Sequence, residues 1–194
     1  MRAIAIAPIR NTSGKKDATG AFQPEAKRFS DYCRSIGIEC KDYLLDIQEK
    51  DCFFPNTYIK PNIYAVFTHG TPRSVRICGK NFVDMRNYKA FVKEFIERAE
   101  EKTVYVGLYA CLAGKELAKA MAIEMSKCPV KFRIIAHTTR GHTTYNPYVI
   151  RFTERDLAGS FICQPGSPEW KEWRRRLRED KDLRFRILFE DTTK

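Results

Sequence analysis

No window of the chain approaches the ~20 consecutive apolar residues that a bilayer span requires, so no transmembrane helix is expected. The opening MRAIAIAPIR has one early arginine, and its brief apolar run is already broken by Pro8. It is too short for a secretory signal and reads as a first strand. CxxC and every other paired cysteine spacing are missing. The seven cysteines (Cys33, Cys40, Cys52, Cys78, Cys111, Cys128 and Cys163) are odd in number and scattered, which argues against a zinc site or a disulfide framework. A reducing cytoplasm is the natural compartment for such a chain, and neither a metal nor another cofactor is expected. Repeats and low-complexity linkers are absent too. The 194 residues are therefore read as one domain, large enough to bury a core without staples.

What is present is an excess of positive charge. The net charge of +11 favours acidic partners through long-range attraction, nucleic acid being the commonest of them. Much of the excess lies in KEWRRRLREDKDLRFR, Lys171 to Arg186, where Glu and Asp are interspersed. That mixture suits a solvated helix face.

Apolar runs of strand length alternate with segments of helical period, the pattern of a mainly parallel sheet with helices on both faces. The expected strands are AIAIAPI (Ala3 to Ile9), IECKDYLLDI, NIYAVFT, TVYVGLYA and KFRIIAHT, continuous apolar runs as befits a sheet covered on both faces. A helix with Ala26, Phe29, Cys33 and Ile36 on one face follows the first strand and stops at Gly37. After the third strand, RSVRICGKNFVDM alternates and predicts a hairpin turning at Gly79. A second helix carries Tyr88, Phe91, Val92, Phe95 and Ile96 on its stripe, and a third carries Leu117, Ala118, Met121, Ala122 and Met125, beginning within about a turn of Cys111. The tail predicts a helix with Trp170, Trp173 and Leu177 on one face. After it LRFRILF, alternating at Leu183, Phe185, Ile187 and Phe189, reads as a half-buried edge strand. The expected fold is thus a three-layer α/β domain with about six strands. Its core spans about residues 1–155, with a C-terminal helix and edge strand over about 156–194.

Ligands in open sheets of this kind gather beyond the carboxyl ends of the strands. His69 and Cys111 close the third and fourth strands, and neighbouring strands about 4.8 Å apart bring such end residues within reach of each other. A thiolate is a nucleophile whose pKa falls next to an imidazolium or a helix N-terminus, and Cys111 is a candidate for both. Gly70 lets the backbone approach a substrate closely. His137 and His142, in AHTTRGHTTYNP, compete with His69 as the base. Bland readings stand beside these. An imidazole can simply cap a strand, and free cysteines are most often small buried hydrophobes, the role expected of Cys33, Cys40 and Cys128.

THGTPRSVRICGKNFVDM followed by YVGLYACLAGKELAKAM resembles the caspase-like cysteine peptidases: His-Gly at a strand end, a hairpin with Val-Asp and an aliphatic residue before a helix, then a strand ending in Ala-Cys. Element order is similar over about Met1 to Arg155, the motifs over Tyr64 to Met121, and the style is closest to CHAT-type members. The resemblance implies a cysteine endopeptidase acting on a cytoplasmic protein, with His69 as general acid/base and Cys111 as nucleophile. It also implies an oxyanion hole formed by the backbone N–H groups of Gly70 and Cys111. Tyr109 stands where caspases carry Gln and metacaspases tend to carry Asp, so neither specificity transfers. Arg10 and Arg140, in the loops after the first and fifth strands, are expected to meet a substrate carboxylate, with His142 beside them. The stretch from Cys111 to the fifth strand is too short for a cleavable activation linker. Two other readings remain open: a caspase-like recognition module without turnover, and a basic nucleic-acid-binding α/β protein.

Overall fold

The computed structural model describes residues 1–8, 22–45, 60–78, 81–99 and 102–190. Arg10, Cys52 and the Gly79 turn lie outside them.

Five strands of the main sheet run parallel: β1 (Arg2–Pro8), β2 (Glu39–Leu45), β3 (Ile63–Phe67), β7 (Thr103–Tyr109) and β8 (Lys131–His137). Two further strands, β9 (Val149–Thr153) and β10 (Asp156–Phe161), continue the sheet antiparallel, giving the order β10-β9-β8-β7-β3-β1-β2. The sheet therefore has seven strands, not about six. Alanines and β-branched residues fill β1 and β3, and every residue of β3 is buried, as a strand covered on both faces must be.

Alternation divides the strands between two cores. On one face Ile4, Ile6, Tyr64, Val66, Val106 and Ile134 pack under α2 (Tyr88–Arg98) and α3 (Leu117–Met125). The predicted hairpin stands beside them as a small antiparallel sheet of β4 (Gly70–Thr71), β5 (Ser74–Cys78) and β6 (Asn81–Asp84), which adds Val75, Ile77 and Val83. On the other face Ala3, Ala5, Ala7, Ala65, Phe67 and Tyr109 pack under α1 (Phe22–Ser35), α4 (Trp170–Glu179) and α5 (Leu183–Phe189). The small side chains of β1 let α1 lie close to the sheet. Gly37, at φ +80°, ends that helix as expected, while Ile36 falls past its last turn and is exposed. Cys33 and Cys40 are buried in this second core as expected, whereas Cys128 is only half-buried.

Two sequence expectations change. LRFRILF is the helix α5, not an edge strand. Both sheet edges are already formed by β2 and β10, and the Asp180 carboxylate accepts the N–H groups of Asp182 and Leu183, starting a helix there. The alternation at Leu183, Phe185, Ile187 and Phe189 misleads because Arg184 and Leu188, one helical turn apart, are buried as well. The second change concerns the boundary near residue 155. It falls in the tight turn between β9 and β10, where Thr153 pairs with Asp156, so the sheet runs on past the expected end of the core. The helix α4 buries Trp173 and Leu177, and its Arg175 pairs with Glu172 and Glu179. A solvated face with internal ion pairs is thus the observed form of the basic tail. Among the described residues no helix is long and apolar enough to cross a membrane.

Candidate active site

β3 and β7 pair in parallel with Phe67 opposite Tyr109, and the Thr68 N–H donates to the Tyr109 carbonyl at 3.4 Å. The rings of Phe67 and Tyr109 stack on the same face, centroids 4.6 Å apart and planes within 3°. His69 and Cys111 each lie two residues beyond that last pair, just past the ends of the neighbouring strands β3 and β7. His69 is exposed, and its ring stands T-shaped to that of Phe22, in the first turn of α1, with centroids 4.8 Å apart. Cys111 is half-buried.

Gly70 locks the two strand ends together. A Cβ there would stand 2.7 Å from the Cys111 carbonyl oxygen and 2.9 Å from Ala110 Cβ, so only glycine lets the start of the small sheet pass over the end of β7. Close approach of a substrate is the use the sequence suggests for this glycine. In the fold that freedom is taken up by contact with the backbone of the cysteine itself.

After Cys111 the chain turns sharply through Leu112, at φ +63°, a conformation that costs a bulky L-residue about 1–3 kcal/mol and collects at functional sites. The Leu112 N–H donates to the Thr139 carbonyl, and the Cys111 thiol donates to the Gly141 carbonyl at 3.4 Å. The loop after β8 therefore borders the cysteine. The helix α3 does not serve it: α3 begins only at Leu117, and the N–H groups of Glu116 and Leu117 both donate to the Pro72 carbonyl. The expected help from a helix N-terminus is therefore absent.

The other sequence candidates separate clearly. Tyr109 is buried, with its hydroxyl on the Arg184 carbonyl at 3.2 Å, and burial pushes its ionisation up. It is part of the core and does not face a substrate. Arg140 is exposed on the loop beside Cys111. His137 is fully buried at the end of β8, its Nδ1 meeting no hydrogen-bond partner among the described residues, and desolvation together with the nearby Arg184 charge holds its pKa down to about 3. This ring is neutral and sealed, and it drops out as a base. It has a consequence for stability instead. The unfolded chain takes up this proton near pH 6.5 and the folded one only near 3, so stability falls as pH falls between those values, by up to about 1.4 kcal/mol per pH unit. His137→Leu is expected to remove that part of the slope in urea unfolding curves taken from about pH 7 to 4. An unchanged slope would show the ring to be protonated in the fold.

His142 lies in a network that the sequence does not reveal. Glu25, 6% exposed in the first turn of α1, accepts the hydroxyls of Thr143 at 2.8 Å and Thr144 at 2.6 Å. Arg184 of α5, 2% exposed, approaches the same carboxylate at 3.2 Å and donates to Thr144 Oγ1 at 2.8 Å. His142 Nδ1 stands 3.4 Å from Glu25 and accepts the Thr144 N–H, which leaves Nε2 on the far side of the ring. The nearly buried Asn146 pins the loop internally through both oxygens of Thr139, and Trp173 of α4 donates to the Pro147 carbonyl. The sequence signal for Glu25 is slight, since an acidic residue in the first turn of a helix is ordinary.

No group of three His, Cys, Asp or Glu side chains among the described residues could hold a metal ion. Chemically, the cluster offers a thiol, an exposed imidazole past the end of the neighbouring strand and a loop held against the cysteine's turn. No family model matches the chain, and no curated protein matches it in sequence.

Proposed function

We propose that the chain is a caspase-like cysteine endopeptidase in which His69 and Cys111 form the catalytic dyad. The observation that carries this reading is the shared register and face of the two strand ends, with Gly70 packed on the Cys111 carbonyl. Before reaction the Cys111 thiol donates to the Gly141 carbonyl. Chemistry starts when that proton passes to His69 and the thiolate attacks a peptide carbonyl. An S–C bond forms, and the resulting oxyanion is met by the backbone N–H groups of Gly70 and Cys111. Collapse expels the amine, which takes the proton from His69 and leaves a thioester. Water, deprotonated by His69, then hydrolyses the thioester and restores the thiol.

The substrate is a protein or peptide. Arg140 gives the rim of the site a positive charge, while the carboxylate of Glu25 is engaged by Arg184 and two hydroxyls, so an acidic side chain before the scissile bond suits the site best. Five free thiols among the described residues fit a reducing cytoplasm as the place of action. The contact between the Cys111 thiol and the Gly141 carbonyl favours one second reading, a recognition module of the same fold that binds a peptide without cutting it.

Reactivity distinguishes the two readings. With iodoacetamide near neutral pH, Cys111 is expected to label faster than the other six cysteines, and His69→Ala to slow it about tenfold. Uniform labelling across the seven, unaffected by His69→Ala, would contradict the dyad.

A further inference from the structure

The network around Glu25 joins parts of the chain 118 residues apart, and its loop end touches the candidate nucleophile. Burying a carboxylate and a guanidinium is costly, and well-packed apolar side chains would stabilise a core at least as well. Such a pair has its best-attested use in fixing one arrangement among several. The arrangement fixed in this fold is that of the loop running from Thr138 to Tyr148.

We propose that Glu25 is a positioning residue that latches this loop against Cys111 through the hydroxyls of Thr143 and Thr144, so that α1 sets the geometry of the site. The inference rests on the Cys/His dyad and adds a residue to it.

Three observations converge. The Thr143 and Thr144 hydroxyls reach the two oxygens of one carboxylate, so a small shift of the loop breaks both bonds together. The residue just before His142 is Gly141, whose carbonyl accepts the Cys111 thiol, and Thr139 accepts the Leu112 N–H, so the latched segment is the one in contact with the nucleophile's turn. Finally, the first turn of α1 that presents Glu25 also presents Phe22 to His69. One helical turn thus touches both His69 and the loop that borders Cys111.

The latch has a direction. The Gly141 carbonyl sits on the Cys111 thiol, so releasing the loop uncovers the sulfur and makes Cys111 more accessible. Productive turnover needs the loop in place for substrate, so the same release lowers it. Reactivity and catalysis are expected to move in opposite directions. Loss of fold would lower turnover and expose every cysteine alike.

The test uses the full chain carrying Thr143→Val and Thr144→Val together, which removes both hydroxyls and keeps the pair between Glu25 and Arg184. Thr143→Val alone, which touches only Glu25, serves if the double variant does not fold. Cys128, half-buried at the opposite end of β8, is the internal reference for labelling. The expected result is a rise of about three- to tenfold in the iodoacetamide labelling ratio of Cys111 to Cys128, with melting still cooperative. The same variant is expected to lose about tenfold or more in kcat with KM changed far less, and Thr143→Ser is expected to behave as wild type. A folded variant with an unchanged labelling ratio would overturn the latch. If the wild type turns over no peptide, the dyad fails as an enzyme, and the labelling ratio alone still decides the latch.

Discussion

Arg184→Met is expected to destabilise the protein by about 3–5 kcal/mol, the cost of stranding a buried charge without its partner. The side chain is almost wholly buried and lies against a carboxylate nearly as buried, with the Phe185 ring packed under its guanidinium at 4.4 Å. Removing the cation leaves the Glu25 charge inside the protein with two hydroxyl donors and no balancing charge. Methionine fills much of the volume, so the loss is electrostatic rather than a cavity effect. Glu25→Gln combined with Arg184→Met removes both charges and is expected to recover at least half of the loss, because an uncompensated buried charge is the costly species. Urea unfolding of the wild type and the two variants measures this directly, the shift appearing in the midpoint with the slope unchanged. A cost below about 1 kcal/mol for Arg184→Met would mean that the pair is hydrated and acts as a surface ion pair.

Much of this architecture is legible in the sequence where a single period carries the information. The parallel strands are continuous apolar runs, and the stripe of α3, Leu117 to Met125, is buried residue for residue. His69 and Cys111 stand out because each ends such a run, and the order of the runs makes their strands neighbours. Where two signals overlap, the sequence misleads. Leu183 to Phe189 alternates like a strand, but the sheet edges are formed by β2 and β10 and the Asp180 carboxylate starts a helix there, which also buries Arg184 against a carboxylate far away in the chain. β9 and β10 escape notice because Arg151 and Thr153 interrupt the apolar residues of a partly covered hairpin, whose run is never continuous. The start of α3 reads too early because nothing in ACLAGKEL reveals that the turn is held by the Pro72 carbonyl. Tyr109 can be matched to a pocket by its place before the cysteine, but strand parity points it into the core. The Glu25 latch has no local pattern at all, since its partners come from two other elements and meet only in three dimensions.

Cys111→Ala and His69→Ala carry the largest expected effects on activity. In the proposed mechanism Cys111 supplies the atom that would form the acyl-enzyme, so turnover is expected to vanish with alanine there. In the same proposed mechanism, alanine at His69 would leave the nucleophile but take away the group that receives its proton and later protonates the leaving amine. A fall of about 10²–10⁴ in kcat is expected, with KM little changed. His137 cannot substitute, being sealed in the core, and His142 has its Nδ1 turned to Glu25. Neither substitution is expected to disturb the fold. His69 is exposed, and Cys111 contributes a single hydrogen bond to the loop.

The most direct measurement is a fluorogenic peptide library varied at the residue before the scissile bond, run in parallel on the wild type, Cys111→Ala and His69→Ala. The dyad predicts cleavage by the wild type with preference for an acidic residue at that position, none by Cys111→Ala, and a strongly reduced rate with the same preference for His69→Ala. Cleavage by Cys111→Ala at the wild-type rate, or no cleavage of any member by the wild type, would contradict it.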